Sequence, residues 1–186
     1  MLTAASRKQH IPTLSLPSFP LTFPPICTGA VEATHKDINV KRQYPFGVSH
    51  VAMIAGGSGI TPMIQILHAL LGNSTESTDV TLLYSNKDES DIIARPTLSA
   101  WQGYSGGRFN VVHTLTREPA GSSWSGRRGR IDREMITTYI PPPSSNVLIF
   151  VCGTDGMYES FSGPRRGAFG GVLMEMGYGE GQVVKL

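Results

Sequence analysis

Cysteine is almost missing from this chain: Cys27 and Cys152 are the only two among 186 residues, far apart and in unlike surroundings. That excludes a disulfide framework and a cysteine-rich zinc site, and it fits a reducing compartment. Excess charge is missing too. A formal charge of +2 is too small to argue for nucleic acid, and the Arg127-Arg128 and Arg165-Arg166 pairs are short and lack interleaved aromatics. The five histidines are scattered, without His-Glu-x-x-His or His-x₃-His spacing, so each reads as an ordinary core or surface residue. No stretch approaches the ~20 apolar residues of a membrane span.

Acid is absent at the amino end, where no Asp or Glu precedes Glu32. Prolines at 12, 17, 20, 24 and 25 forbid a continuous helix there. Missing acids and many hydroxyls suggest a transit peptide, but only Arg7 and Lys8 are basic early on. The alternative is a disordered or artefactual leader, which is the expectation for residues 1–34.

What the chain does have begins near His50. Strands are predicted at 50–54, 79–85, 109–115 and 146–152, and helices at 62–71, 91–102, 132–139 and 168–176. This alternation predicts a parallel α/β sheet with right-handed crossovers. Pro141-Pro142-Pro143 ends the third helix, and Gln182-Val183-Val184-Lys185 is a candidate closing strand.

Two glycine turns follow apolar strands. Ala55-Gly56-Gly57-Ser58-Gly59-Ile60-Thr61-Pro62 follows His50–Ile54, and Cys152-Gly153-Thr154-Asp155-Gly156-Met157 follows Val147–Val151. Turns at the carboxyl ends of parallel strands are where open α/β sheets bind nucleotides. The glycines of the first turn allow a sharp bend and close approach to a ligand. Thr61 suits a helix N-cap and Pro62 the first helical position, with the helix amino end offered to a pyrophosphate. The spacing is not Gly-x-Gly-x-x-Gly, since Pro62 stands at the third glycine, and no Gly-Lys-Ser/Thr follows. A tight strand-to-helix turn without a ligand remains the alternative.

Met53-Ile54-Ala55-Gly56-Gly57-Ser58-Gly59-Ile60-Thr61-Pro62-Met63 resembles the pyridine-nucleotide motif of the NADH-cytochrome b5 reductases, within the ferredoxin-reductase-like flavoproteins. Cys152-Gly153 to Met157 is similar to their Cys-Gly-x-x-x-Met motif. Leu82–Lys87 and Asp91–Arg95 resemble the second strand and following helix. The resemblance covers about Lys36 to Leu186. It implies an open parallel sheet flanked by helices, the ferredoxin-reductase-type NAD(P)-binding domain, over residues 48–186. It also implies a β-barrel FAD domain, of which residues 35–47 look like a remnant. The barrel's Arg-x-Tyr-(Thr/Ser) motif is not found, so the resemblance implies a truncated or mis-started member.

The same resemblance assigns roles. Gly56, Gly57 and Gly59 would approach the dinucleotide pyrophosphate. Ser58 would present its hydroxyl near the nicotinamide carboxamide or the flavin, where relatives usually carry Thr. Thr61, with Pro62 behind it, would touch the flavin phosphate side. Cys152 would sit beside nicotinamide C4, Gly153 would permit close approach, and Met157 would pack over the ligand. From the residues alone, Cys152 reads equally as a small buried hydrophobe and Met157 as core. Many relatives carry Asp where Thr116 stands. With Arg117 beside it, the neutral Thr116 weakens NADH preference over NADPH, unless Arg117 is only a solvated loop charge.

The expected activity is hydride transfer from NADH to FAD, then electron transfer to cytochrome b5 or another haem-protein acceptor. The resemblance places such enzymes at the surface of the endoplasmic reticulum or mitochondrion. Two other readings compete with it: a nucleotide-binding fragment or pseudoenzyme without flavin, and a nonproductive gene product.

Overall fold

The computed structural model describes residues 47–72, 77–143 and 146–186. The expected leader and barrel remnant, up to residue 46, lie outside them. Six strands form one sheet in the order β4-β3-β2-β1-β5-β6, every neighbouring pair parallel. They are β1 (His50–Gly56), β2 (Asp79–Asn86), β3 (Phe109–Leu115), β4 (Arg127–Arg128), β5 (Val147–Cys152) and β6 (Val183–Lys185).

The helices are α1 (Ile60–Leu71), α2 (Arg95–Tyr104), α3 (Arg133–Tyr139), α4 (Asp155–Phe161) and α5 (Gly171–Glu175). The chain winds outward from β1 to β4, then returns across β1 to β5 and β6. The two directions of winding put helices on opposite faces. Met53, Ala55, Leu82 and Tyr84 bury one face under Ile60, Met63 and Leu67 of α1 and Leu98 of α2. Ala52, Ile54, Leu83 and Ile149 bury the other under Met135 and Ile136 of α3, Tyr158 and Phe161 of α4, and Leu173 of α5. Strands covered on both faces carry apolar residues at nearly every position, which is why β1, β2 and β5 were legible as runs.

Several boundaries differ from expectation, each for a local reason. The first helix begins at Ile60, not Pro62. A 3-10 turn (Gly57–Gly59) runs straight into it, with Gly59 already helical at φ −61°, ψ −9°. Thr61 and Pro62 are therefore the second and third helical residues; Thr61 is not the N-cap, and the cap, Gly59, has no side chain to offer. The helix expected over 91–102 begins only at Arg95. A 3-10 turn (Glu89–Asp91) and a left-handed Ala94 (φ 58°) take up the preceding residues. In α3, Asp132 is the N-cap, its Oδ1 accepting from the Met135 N–H at 2.8 Å, an interaction worth about 1 kcal/mol. The helix expected over 168–176 shrinks to α5, because Gly170 is extended and Gly171 has φ +70°.

Helix α4 and strand β4 were not foreseen. Helix α4 is only seven residues long and begins inside the second glycine turn. Strand β4 is two arginines, with no apolar alternation to mark it.

Candidate nucleotide site at the switch point

Strands β1 and β5 are where the sheet order reverses, the topological switch point at which such sheets take ligands. Ala55 pairs with Cys152 in register, so both glycine turns leave the sheet side by side at one end. They interlock. A Cβ on Gly59 would lie 2.3 Å from the Cys152 carbonyl oxygen and 3.0 Å from the Gly153 nitrogen. A Cβ on Gly56 would fall 2.2 Å from the Met157 sulfur, and one on Gly153 would fall 2.5 Å from the same atom. Met157 thus fills the space that two missing side chains leave. Gly57 differs: its φ is +52° and nothing lies within 4 Å of its Cβ position.

A cavity of about 940 Å³ opens beside these turns. Gly56, Gly57, Ser58, Gly153 and Met157 line it on one side. The ends of β2 and β3 contribute Ser85, Asn86, Lys87 and Thr116, and the segment entering α3 contributes Arg130, Ile131, Asp132 and Arg133. The volume lies in the range of cofactor and ligand pockets.

Five residues named from the sequence do not line this cavity. Gly59 is buried against β5 and serves the strand crossing. Thr61 is exposed on α1, and Pro62 is half-buried beside it. Arg117 is exposed and faces Asp88, Nη1 to Oδ2 at 4.0 Å. Cys152 points to the other face of the sheet, its Sγ 3.9 Å from the Leu186 carbonyl oxygen.

Tyr158 donates from its hydroxyl to that same Leu186 oxygen. Burial, and then the Cys152 thiol beside it, push its phenol up to about 12, while Arg165, 5.4 Å over the ring, works the other way.

Two features were missed in the sequence, one behind the first turn and one on the cavity wall. Tyr84 is buried, and its hydroxyl donates to the Gly57 carbonyl oxygen at 3.0 Å while accepting from the Ile93 N–H at 3.3 Å. It ties the first turn to the loop after β2. Burial raises its pKa, and the hydrogen bond from the Ile93 N–H holds it back. The second is Asn86, 4% exposed. Although it lies near Tyr84, neither its side-chain oxygen nor its nitrogen makes a hydrogen bond of acceptable geometry. A buried amide with both ends unpaired is costly, and a cavity wall is where a ligand would pair it. The available signal was positional: Asn86 ends an apolar strand at the level of both glycine turns.

The sequence model described as the oxidoreductase NAD-binding domain matches residues 53–162. The chain belongs to that family. It is also similar to curated proteins named NADH-cytochrome b5 reductase 2. With that of Botryotinia fuckeliana it shares 38% identity over 152 residues, 77% of this chain and 43% of the relative. With that of Coccidioides immitis it shares 39% over 142 residues, 73% of this chain and 43% of the relative. The chain thus spans less than half the length of these relatives. Among solved structures, the cytochrome b5 reductase domain of Ulva prolifera nitrate reductase superimposes with a TM-score of 0.65 at 30% identity, covering 76% of this chain and 51% of that one. The ferredoxin-reductase-type sheet expected from the two turns is the observed fold, and the family resemblance holds across it.

Proposed function

We propose that residues 48–186 form the pyridine-nucleotide half of a flavin-dependent NAD(P)H oxidoreductase of cytochrome b5 reductase type. Its electrons would pass through FAD to cytochrome b5 or a similar haem protein. The observation that carries this reading is the shared cavity: two interlocked glycine turns at the switch point, with an unpaired buried amide facing them. A nicotinamide dinucleotide fits that wall. Gly57 leaves its backbone open to a phosphate, and the amino end of α1 lies just beyond it. Asn86 offers one donor pair and one acceptor.

When bound, the cofactors supply the chemistry: hydride leaves the reduced nicotinamide for the flavin, and the acceptor then takes single electrons. The chain's own residues would bind and orient. Met157 would close over the nucleotide, and Ser58 would hold the nicotinamide end by its exposed hydroxyl. For the flavin, the described residues offer the exposed hydroxyls of Ser58 and Thr61, which supply contacts and not a cradle. Among the described residues no helix is long and apolar enough to cross a membrane.

One observation favours a second reading, a nucleotide-binding unit that holds no flavin by itself: the described residues offer a flavin only the exposed hydroxyls of Ser58 and Thr61. Purified full-length chain mixed with FAD and NADH, and assayed with ferricyanide and cytochrome b5, separates the two. Hydride transfer needs the two rings held in contact, and orientation supplies much of the rate. Nucleotide binding with little turnover is expected of the chain alone. Tightly bound stoichiometric FAD with full turnover would overturn the second reading. Failure to bind either nucleotide would overturn the first.

A further inference from the structure

Strand β2 buries Val80, Leu82 and Leu83, and Tyr84 follows them at 0% exposure. A phenylalanine ring would fill that space equally well, so packing accounts for the ring and not for the hydroxyl. A buried hydroxyl needs partners. Both partners of this one are backbone groups of residues that line the cavity. It donates to the Gly57 carbonyl oxygen at 3.0 Å and accepts from the Ile93 N–H at 3.3 Å. Gly57 stands in the turn after β1, and Ile93 in the loop between β2 and α2. Tyr84 itself does not line the cavity.

The backbone at each end of this bridge enters the left-handed region. Gly57 has φ +52°, and nothing within 4 Å of its Cβ position braces it. Ala94, directly after Ile93, has φ 58° and is the only non-glycine with positive φ among the described residues. That conformation is costly for an L-residue and persists only where its surroundings hold it.

The Gly57 carbonyl also accepts from the Ile60 N–H, which closes the 3-10 turn. Two donors on one oxygen fix the plane of the Gly57–Ser58 peptide. The peptide is trans, and a planar trans peptide points its N–H opposite to its carbonyl. The Ser58 N–H is therefore aimed away from Tyr84, out of the amino end of α1, where N–H groups have no carbonyl behind them. Ser58 lines the cavity.

We propose that Tyr84 is a positioning residue for the dinucleotide: its hydroxyl aims the Ser58 N–H at the phosphates and holds the Ile93 segment across the opening. The inference rests on the dinucleotide reading above and adds to it a residue that touches no ligand. A donor fixed before the ligand arrives need not be ordered on binding, so the gain is one of preorganisation.

Tyr84→Phe removes the hydroxyl and keeps the ring. ADP-ribose is the probe, since it carries the pyrophosphate and needs no flavin. Its affinity for the full chain is measured by calorimetry, and the Ser58 amide signal is followed by NMR to saturation. The variant should bind ADP-ribose about fivefold more weakly, the loss of one hydrogen bond's worth of preorganisation. In the wild type the Ser58 N–H signal should move well downfield on binding, and in the saturated variant much less. Without ligand, the Ile93 N–H of the variant should exchange about tenfold faster while the β1 and β2 amides keep their protection. Equal affinity in the two proteins overturns the positioning role and leaves the dinucleotide reading standing. So does weaker binding with the Ser58 signal unchanged at saturation, or a loss of protection throughout β1 and β2, since either assigns the hydroxyl to the fold. No binding of ADP-ribose to the wild-type chain overturns the dinucleotide reading and this inference with it.

Discussion

The two walls of the cavity are held by different forces. On the β1–β5 side, Gly59 is small because the Cys152 backbone occupies the space a Cβ would need, and Gly56 and Gly153 because the Met157 side chain does. On the β2–β3–β4 side, the strand ends carry the buried Asn86 and the exposed Lys87, Thr116 and Arg130. On the proposed reading, the first wall is a condition of folding and the second a condition of which ligand is held. Substitutions should separate the two.

The largest effect is expected at Gly59→Ala. The new methyl meets the Cys152 carbonyl carbon at 2.6 Å and its oxygen at 2.3 Å. Both belong to backbone in a central strand and cannot yield. Overpacking of this kind costs about 3 kcal/mol, read from the urea midpoint. Gly56→Ala makes a comparably short contact, but with the end of the flexible Met157 side chain. It should cost less stability and more nucleotide affinity, since Met157 must move into the cavity. Equal stability losses at the two positions would erase the distinction between a strand-crossing glycine and a ligand-facing one.

Next comes Asn86→Leu, which acts on the second wall. Two buried polar atoms without partners weaken the unliganded protein, each by about 1–3 kcal/mol. Leucine of similar volume removes that penalty. The thermal midpoint of the unliganded variant should match or exceed the wild type, while nucleotide affinity falls about tenfold. A less stable variant with unchanged affinity would show that the amide serves the fold instead.

These contrasts explain what was legible in the sequence. A glycine needed for backbone approach leaves a spaced motif, so both turns and the buried strands between them could be read. The β2–β3–β4 wall depends on register: Asn86, Thr116 and Arg130 are far apart in the chain and meet only because three strands end level. Tyr84 looked like one more apolar strand residue, and its hydroxyl bond to Gly57 has no sequence mark. Cys152 was legible as a strand end, but the side of the sheet its thiol faces follows from the pleat and the Leu186 backbone. Thr61 and Pro62 suited a helix start by type. The 3-10 turn through Gly57–Gly59 moved that start two residues earlier.

Thr116→Asp sharpens the comparison through charge alone. Thr116 is exposed at a strand end, so stability should hardly change. A carboxylate there should weaken NADPH by about tenfold and NADH much less, measured as a ratio of dissociation constants. Equal losses for both would show that position 116 does not see the 2′-phosphate.

The smallest expected effect is a pH dependence that belongs to the sheet and not to the cavity. His50 at the start of β1 and His113 in β3 both have lowered pKa values, chiefly because burial disfavours the charged ring. For His113 the Arg95 charge adds to the shift; for His50 the Asp79 charge opposes it. The sign follows from linkage. Above the ordinary value of 6.5 both rings are neutral in the folded and unfolded chain, and stability is at its plateau. As pH falls below 6.5 the unfolded chain takes up protons that the folded one refuses, so stability declines until the folded values are reached. Each ring contributes a slope of at most about 1.4 kcal/mol per pH unit. His50 also loses its Nε2 contact with Thr81 Oγ1, 3.1 Å away, if protonation forces the ring to turn. His113 lies tilted against the Tyr84 ring, centroids 5.7 Å apart, with its Nδ1 buried and unpaired, so a proton there has nothing to donate to. Urea midpoints at pH 7.5, 6.5 and 5.5 should fall along that series, and His113→Gln should flatten the decline. A decline of unchanged steepness in that variant would assign the proton uptake to other groups.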